Sequence, residues 1–300
     1  MLRRMENFRP RAKISAFVVS YNRAAFLGTC LRALHFADEI IVVDKSSTDD
    51  SCMVAQRYAD RVVAVPWSPT VEETRTFALS QCTNEWILFL DDDECLSPEA
   101  ACFIQNELAA PRAEVYALPL RHYILGVHDE GSYYWPEHHI RCFRRGSVTF
   151  GSTVHSGVTV CGGRVMNVAP NAGVCIHHLS HPDVASWIDR TNRYTSRHNR
   201  ARVATSQEDL VEFAHGRIDH WIERSSDTSR KGYTAAVALL RAIYDVVDRL
   251  KAWEEERGAD GVALLRQACE ELDARIDLHF SRQDRAMDGS ELRRKHVVAL

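Results

Sequence analysis

The sequence predicts an α/β protein built on a mostly parallel, doubly wound sheet with helices on both faces, followed by a helical C-terminal region. Two observations predict it. Short apolar runs alternate with amphipathic stretches of helical period through the first half of the chain. Polar residues also gather where three of those runs end, at Ser20-Tyr21-Asn22, Asp44-Lys45-Ser46-Ser47 and Asp91-Asp92-Asp93-Glu94. Ligands of doubly wound sheets bind beyond the carboxyl ends of the strands, so the coincidence points to a site.

Taken in order, Ile14 to Ser20 (ISAFVVS) is a β-branched and aromatic run suited to a buried strand. Arg23 to His35 has apolar residues at helical spacing: Phe26, Leu27, Cys30, Leu31 and Leu34. Glu39 to Asp44 reads as a strand, Thr48 to Asp60 as a helix opened by a Ser/Thr/Asp-rich start, and Arg61 to Pro66 as a strand. Thr70 to Gln81 is a helix and Trp86 to Asp91 (WILFLD) a fourth strand. Pro98 after Ser97 suits the first turn of a helix to Ala109. Ala113 to His122 and His138 to Phe150 read as strands around an aromatic loop, and Thr149 to Gly173 as further strand-prone, hairpin-like chain. Helices are expected over Asp183 to Arg202, Gln207 to Glu223, Thr234 to Arg257 and Gly261 to Phe280.

With 300 residues, 45% hydrophobic, the chain can bury a large core. Its formal charge of -4 shows no basic excess, which argues against nucleic acid as a partner. Nine scattered cysteines without a C-x-x-C pair, and no apolar leader near the N-terminus, are expected to be reduced thiols in a cytoplasm. No apolar run reaches the roughly 18 residues of a membrane span.

The acidic series after WILFL is the strongest chemical signal. Carboxylates at the last strand position and two residues on can reach one side of the sheet edge, where a hard cation bridges them to a diphosphate. A plain acidic turn is the alternative. Asp44 is placed to accept from a base or from ribose hydroxyls, while Ser47, Thr48 or Asp49 could cap the next helix. His177, His178 and His181 invite a zinc or iron reading, but no carboxylate accompanies them at ligand spacing. On the C-terminal side Val237, Leu240, Ile243, Tyr244, Val247, Leu250 and Trp253 form one apolar face. That face packs on the rest of the chain or on a second subunit in a homodimer. Arg241, Arg249 and Lys251 beside it leave open a peripheral contact at the inner face of a membrane, which Asp245 and Asp248 weaken.

The segments FVVSYNRAAFLGTCLRAL, ADEIIVVDKSSTDDS and RTFALSQCTNEWILFLDDDE together resemble the family 2 glycosyltransferases. Within them the chain is similar to lipopolysaccharide-core β-1,4-glucosyltransferases, through IRCFRRG (140–146), VHSGV (154–158), IHH (176–178) and the stretch 230–254. The resemblance implies a GT-A catalytic domain over 12–181, a helical region over 182–282 and a polar tail over 283–300. It implies inverting transfer from a nucleotide-diphosphate sugar, UDP first, to a glycan, lipid-linked or small-molecule acceptor, with Mn2+ or Mg2+. The donor would be held by Ser20, Tyr21, Asn22, Asp44, Arg75, Asp91 and Asp92; the metal by Asp93 and Asp91, with His155 or one of His177 and His178 as a further ligand. Ser156 stands where the subgroup has Glu, so the general base is sought in the loop before IRCFRRG: Glu137 first, then Asp129 and Glu130. Two other readings are a non-catalytic nucleotide-sugar binder and a phosphatase with an aspartate nucleophile of the haloacid-dehalogenase type.

Overall fold

The computed structural model describes residues 12–68, 71–151, 157–171, 173–196, 207–225, 231–258 and 260–286. The first four apolar runs are strands β1 (Ile14–Ser20), β2 (Glu39–Asp44), β3 (Arg61–Ala64) and β4 (Trp86–Asp91). Between them lie helices α1 (Ala24–Ala33), α2 (Ser51–Tyr58) and α3 (Glu72–Gln81). The strands pair in parallel in the order β3-β2-β1-β4, which is what helical crossovers between strands require. Alternate residues of β1 serve the two faces. Ile14, Ala16 and Val18 pack with Leu27 and Leu31 from α1 and with Leu34 just after it. Phe17 and Val19 pack with Ala78 of α3, Phe89 and Phe143.

Beyond β4 the sheet becomes mixed. A short strand β5 (Glu94–Leu96) follows the acidic turn and leads into α4 (Pro98–Ala109). Ser97 caps α4, its Oγ accepting from Ala100 N at 3.0 Å. Strand β6 (Val115–Ile124) is reached next, and β7 (Glu137–Arg144) runs antiparallel between β4 and β6. The single strand expected over 138–150 is interrupted: Arg144 to Ser147 turn through Gly146, whose φ of 87° is left-handed, before β8 (Val148–Phe150) begins. β8 pairs with β9 (Val158–Val160) in a separate two-stranded sheet, and β10 (Val165–Asn167) pairs with β6. The histidine-rich segment is strand β11 (Ile176–His181), parallel to β6 and antiparallel to β5.

The C-terminal helices are α5 (Val184–Thr195), α6 (Gln207–Glu223), α7 (Lys231–Arg257) and α8 (Gly261–Ala286). Asp183 opens α5 in a capping box with Ser186. Helix α8 runs past Phe280 into the expected tail, because no Gly or Pro interrupts the chain before Gly289. Val237 and Leu240 of α7 join Trp187 of α5, Ile124 and Tyr134 in a third apolar cluster. The first half of the α7 face thus packs beside the end of β6, whereas Leu239, Ile243 and Leu250 stay about 40% exposed. Among the described residues no helix is long and apolar enough to cross a membrane.

Candidate active site at the carboxyl edge of the sheet

Parallel pairing aligns the polar strand ends. Ser20 is opposite Asp44, and Val19 opposite Asp91. Both loops that follow use left-handed residues, Asn22 at φ 52° and Ser46 at φ 60°, a backbone state in which Asn is tolerated better than most side chains. The two loops are laced together: Thr48 N donates to Asn22 Oδ1 at 2.7 Å, and Asn22 N donates to Ser47 Oγ at 2.9 Å. Asp44 is buried, one oxygen accepting from Ser47 N at 2.9 Å. Of the side chains expected to cap α2, Ser47 and Thr48 bond Asn22 instead. The helix starts after Asp50 with no side-chain cap, while Asp49 accepts from Ser51 N at 3.0 Å and from Ala24 N at 3.1 Å.

The acidic turn sits among four guanidinium groups. Asp91 has one oxygen bonded to Arg75 and the other to Arg141 at 3.1 Å. Arg141 also holds the buried Glu94 through two bonds, at 2.7 and 2.6 Å. Asp92 accepts from Tyr21 N at 3.0 Å and lies 3.4 Å from Arg23. Asp93 meets Arg23 at 3.3 Å, Arg190 at 3.0 Å and His178 Nε2 at 3.4 Å. Burial works to raise the Asp91 carboxyl, but Arg75 and then Arg141 outweigh it and hold it at about 2. Burial, then the charge of Asp93, push Asp92 up to about 7. Burial is outweighed at Asp93 by His178, then Arg190 and Arg23, which keep its carboxyl well below the usual range. Arg75, expected beside a diphosphate, is committed to Asp91, although its Nε is buried without a partner.

Residues 15–168 match the model of Glycosyl transferase family 2. The chain belongs to that family. It is 38% identical over 105 residues to an uncharacterized glycosyltransferase of Rickettsia felis, a match covering 35% of this chain and 37% of that protein. It is 30% identical over 157 residues to the lipopolysaccharide core biosynthesis glycosyltransferase LpsC of Rhizobium meliloti, covering 50% of this chain and 58% of LpsC. These matches span less than two thirds of either relative. Among solved structures, Staphylococcus aureus TarS 1–349 superposes with a TM-score of 0.41 at 15% identity, over 83% of this chain and 92% of that one. The sheet is mostly parallel, flanked by helices and followed by a helical C-terminal region, which is the fold class the sequence predicts.

In this family 2 chain the three histidines of β11 do not converge. Neighbours on a strand face opposite sides, so His177 bonds Tyr123 Oη at 3.0 Å while His178 turns to the acidic turn. His181 stacks on Trp187, ring centroids 4.3 Å apart. Of the base candidates, Asp129 is buried and accepts from Thr234 Oγ1 and Gly131 N, which ties the loop to α7. Glu130 is exposed and pairs with Arg121 at 2.9 Å. Glu137 accepts from His122 at 2.9 Å and His139 at 3.1 Å; these two bonds outweigh burial and hold its carboxyl far below the usual range, a weak base. His155 and Ser156 lie outside the described residues.

Several site residues escaped the sequence reading. Trp67, past the carboxyl end of β3, is 52% exposed with its ring centroid 6.2 Å from that of Tyr21, itself 39% exposed. The strand-end rule that selected Asp44 and Asp91 applies equally to that loop. Arg190 and Asp189 come from α5, about a hundred residues from the acidic turn in sequence, and no local pattern announces them. With Tyr21, Asn22 and Arg23 they line a cleft of about 410 Å³. A larger hollow of about 680 Å³ lies at the amino end of β4, beside Thr83 to Glu85, away from the strand ends that ligands of such sheets use.

Proposed function

We propose that this chain is an inverting glycosyltransferase, moving a sugar from a nucleotide-diphosphate donor, UDP first, to a hydroxyl of a glycan, lipid-linked or small-molecule acceptor. The observation that carries the reading is the meeting of Asp44, the Tyr21–Trp67 pair and the Asp91–Asp93 turn along one sheet edge. These groups, with the arginines that meet the acidic turn, suit the parts of the donor. Tyr21 and Trp67 offer ring faces to a base, Asp44 an acceptor for a base N–H or ribose hydroxyls, and Arg23 and Arg190 cationic donors for a diphosphate.

Mn2+ or Mg2+ is the cofactor in this reading. Asp93 Oδ1 and His178 Nε2, a hard oxygen and an imidazole nitrogen 3.4 Å apart, fit a shared small cation, since ligands at about 2.1 Å each lie within about 4.2 Å of one another. Among the described residues no three His, Cys, Asp or Glu side chains come together as a metal cage. When bound, the cation offsets the negative charge that builds on the departing diphosphate. Arg23 and Arg190, which meet the other oxygen of Asp93, would add to that compensation.

The acceptor oxygen forms its bond to the anomeric carbon as the bond from that carbon to the β-phosphate oxygen breaks. The electron pair leaves with the nucleoside diphosphate, and the acceptor proton passes to a carboxylate. Among the residues lining the cleft, that carboxylate is the exposed Asp189. A phosphatase with Asp91 as nucleophile is disfavoured, because both of its oxygens are in ion pairs with Arg75 and Arg141.

Thermal unfolding with Mn2+ against UDP-, GDP-, TDP- and CMP-sugars, on the native chain and on Asp93→Ala, tests the proposal. A donor at about 100 times its Kd stabilises by about 2.7 kcal/mol, a shift of a few degrees. The expected result is a metal-dependent shift with one nucleotide that Asp93→Ala loses. Cooperative melting with no shift for any donor would overturn it.

A further inference from the structure

Across three neighbouring strands a continuous line of polar side chains runs away from the acidic turn. His178 on β11 stands beside His122 on β6 in register, their Nδ1 atoms 2.8 Å apart. His122 Nε2 is 2.9 Å from Glu137 Oε2 at the start of β7, and Glu137 Oε1 is 3.1 Å from His139 Nε2. At the other end His178 Nε2 is 3.4 Å from Asp93 Oδ1. The two histidine rings are held in place: His178 meets His122 edge to face at 4.9 Å between centroids, and His122 meets Tyr134 the same way at 5.2 Å.

Hydrogen-bond bookkeeping along this line allows one assignment for neutral rings. An ionised Glu137 only accepts, so His122 Nε2 carries the hydrogen. A neutral His122 then presents a lone pair at Nδ1, and the short contact to His178 Nδ1 requires that His178 supply its hydrogen there. His178 Nε2 is left with a lone pair directed at a carboxylate oxygen, and two acceptors face one another. A cation shared with Asp93 would resolve that opposition.

We propose that His122 and Glu137 are positioning residues that lock His178 in the tautomer whose Nε2 can ligate the divalent cation beside Asp93. This rests on the glycosyltransferase reading above and gives Glu137 a different task from taking the acceptor proton. Partners of metal-bound imidazoles fix ring orientation and tautomer, and their loss typically costs 10- to 100-fold in metal affinity.

The test measures the Mn2+ dissociation constant by electron paramagnetic resonance of free Mn2+, in the presence of UDP. The full chain is compared with His122→Phe, Glu137→Leu and Glu137→Gln, each checked for an unchanged melting transition. His122→Phe and Glu137→Leu should weaken Mn2+ binding 10- to 100-fold, and Glu137→Gln, which keeps an accepting oxygen, should recover most of it. A second readout is the 15N signature of His178 at a Mg2+ concentration that saturates the native chain with UDP: metal on Nε2 and hydrogen on Nδ1 in the native chain and in Glu137→Gln, and Nε2 free of metal in Glu137→Leu. Glu137→Leu loosens the line from its exposed end, so it reports even where His122→Phe fails to fold. Unchanged Mn2+ affinity in folded Glu137→Leu would overturn the proposal, as would Glu137→Gln losing turnover with Mn2+ affinity intact, the mark of a general base. Absence of Mn2+ and UDP binding in the native chain would instead remove the glycosyltransferase reading itself.

Discussion

Two aromatic side chains and one histidine carry the most specific residue-level expectations. Tyr21 and Trp67 are large, exposed and 6.2 Å apart between centroids at the carboxyl edge of the sheet. A base stacked on such a ring gains about 1–3 kcal/mol, so Trp67→Ala should weaken UDP binding roughly 5- to 150-fold by calorimetry. His181 has a buried Nδ1 without a partner and lies against Trp187. Burial, then Arg190, pushes its imidazole down to about 3. An unfolded chain takes up a proton there near pH 6.5 and the folded chain does not until about 3, so this group lowers stability as pH falls through that window. The slope is at most one proton, about 1.4 kcal/mol per pH unit. His181→Leu should flatten the pH dependence of urea unfolding between pH 6 and 4; an identical slope would place the titration elsewhere.

At the scale of elements, the turn between β4 and β5 is held by Arg141 from β7. Arg141 and Glu94 are both at least nine-tenths buried and doubly bonded, and Arg141 also reaches Asp91. Removing one partner of a buried pair leaves an uncompensated charge, at a cost of about 3–5 kcal/mol. Arg141→Met should lose that much in urea unfolding, and Arg141→Met with Glu94→Leu should regain most of it. The strands β1, β2 and β4 were legible because a buried parallel strand is a run of apolar residues with polar residues at its ends. Strand β5 was not, because three residues carry no periodicity. Strand β11 was not, because IHHLSH is polar by composition and becomes a strand through pairing with β6 and β5.

For the whole molecule, the C-terminal helices divide into those that complete the fold and one that does not. Tyr233 of α7 donates to the loop after β6, at 2.7 Å from Ile124 O and 2.6 Å from Val127 O, and Val237 and Leu240 sit in the third apolar cluster. Every described side chain of α8 from Val262 to Leu278 is exposed. A chain ended at Gly258 should therefore melt within about 2 °C of the full chain and keep its UDP affinity, since surface changes away from packed features stay within about 0.5 kcal/mol. Ending it at Ser225 should abolish cooperative melting. The sequence by itself determined the sheet's parallel half, the family, and the residues at three strand ends, because strand burial and strand-end chemistry are both written in local patterns. Tertiary structure alone decided what faces those carboxylates. Arg141, Arg190, His178 and the line through His122 to Glu137 reach the acidic turn from β7, α5, β11 and β6. Those partners are set by long-range strand order and helix docking, which no window of neighbouring residues contains.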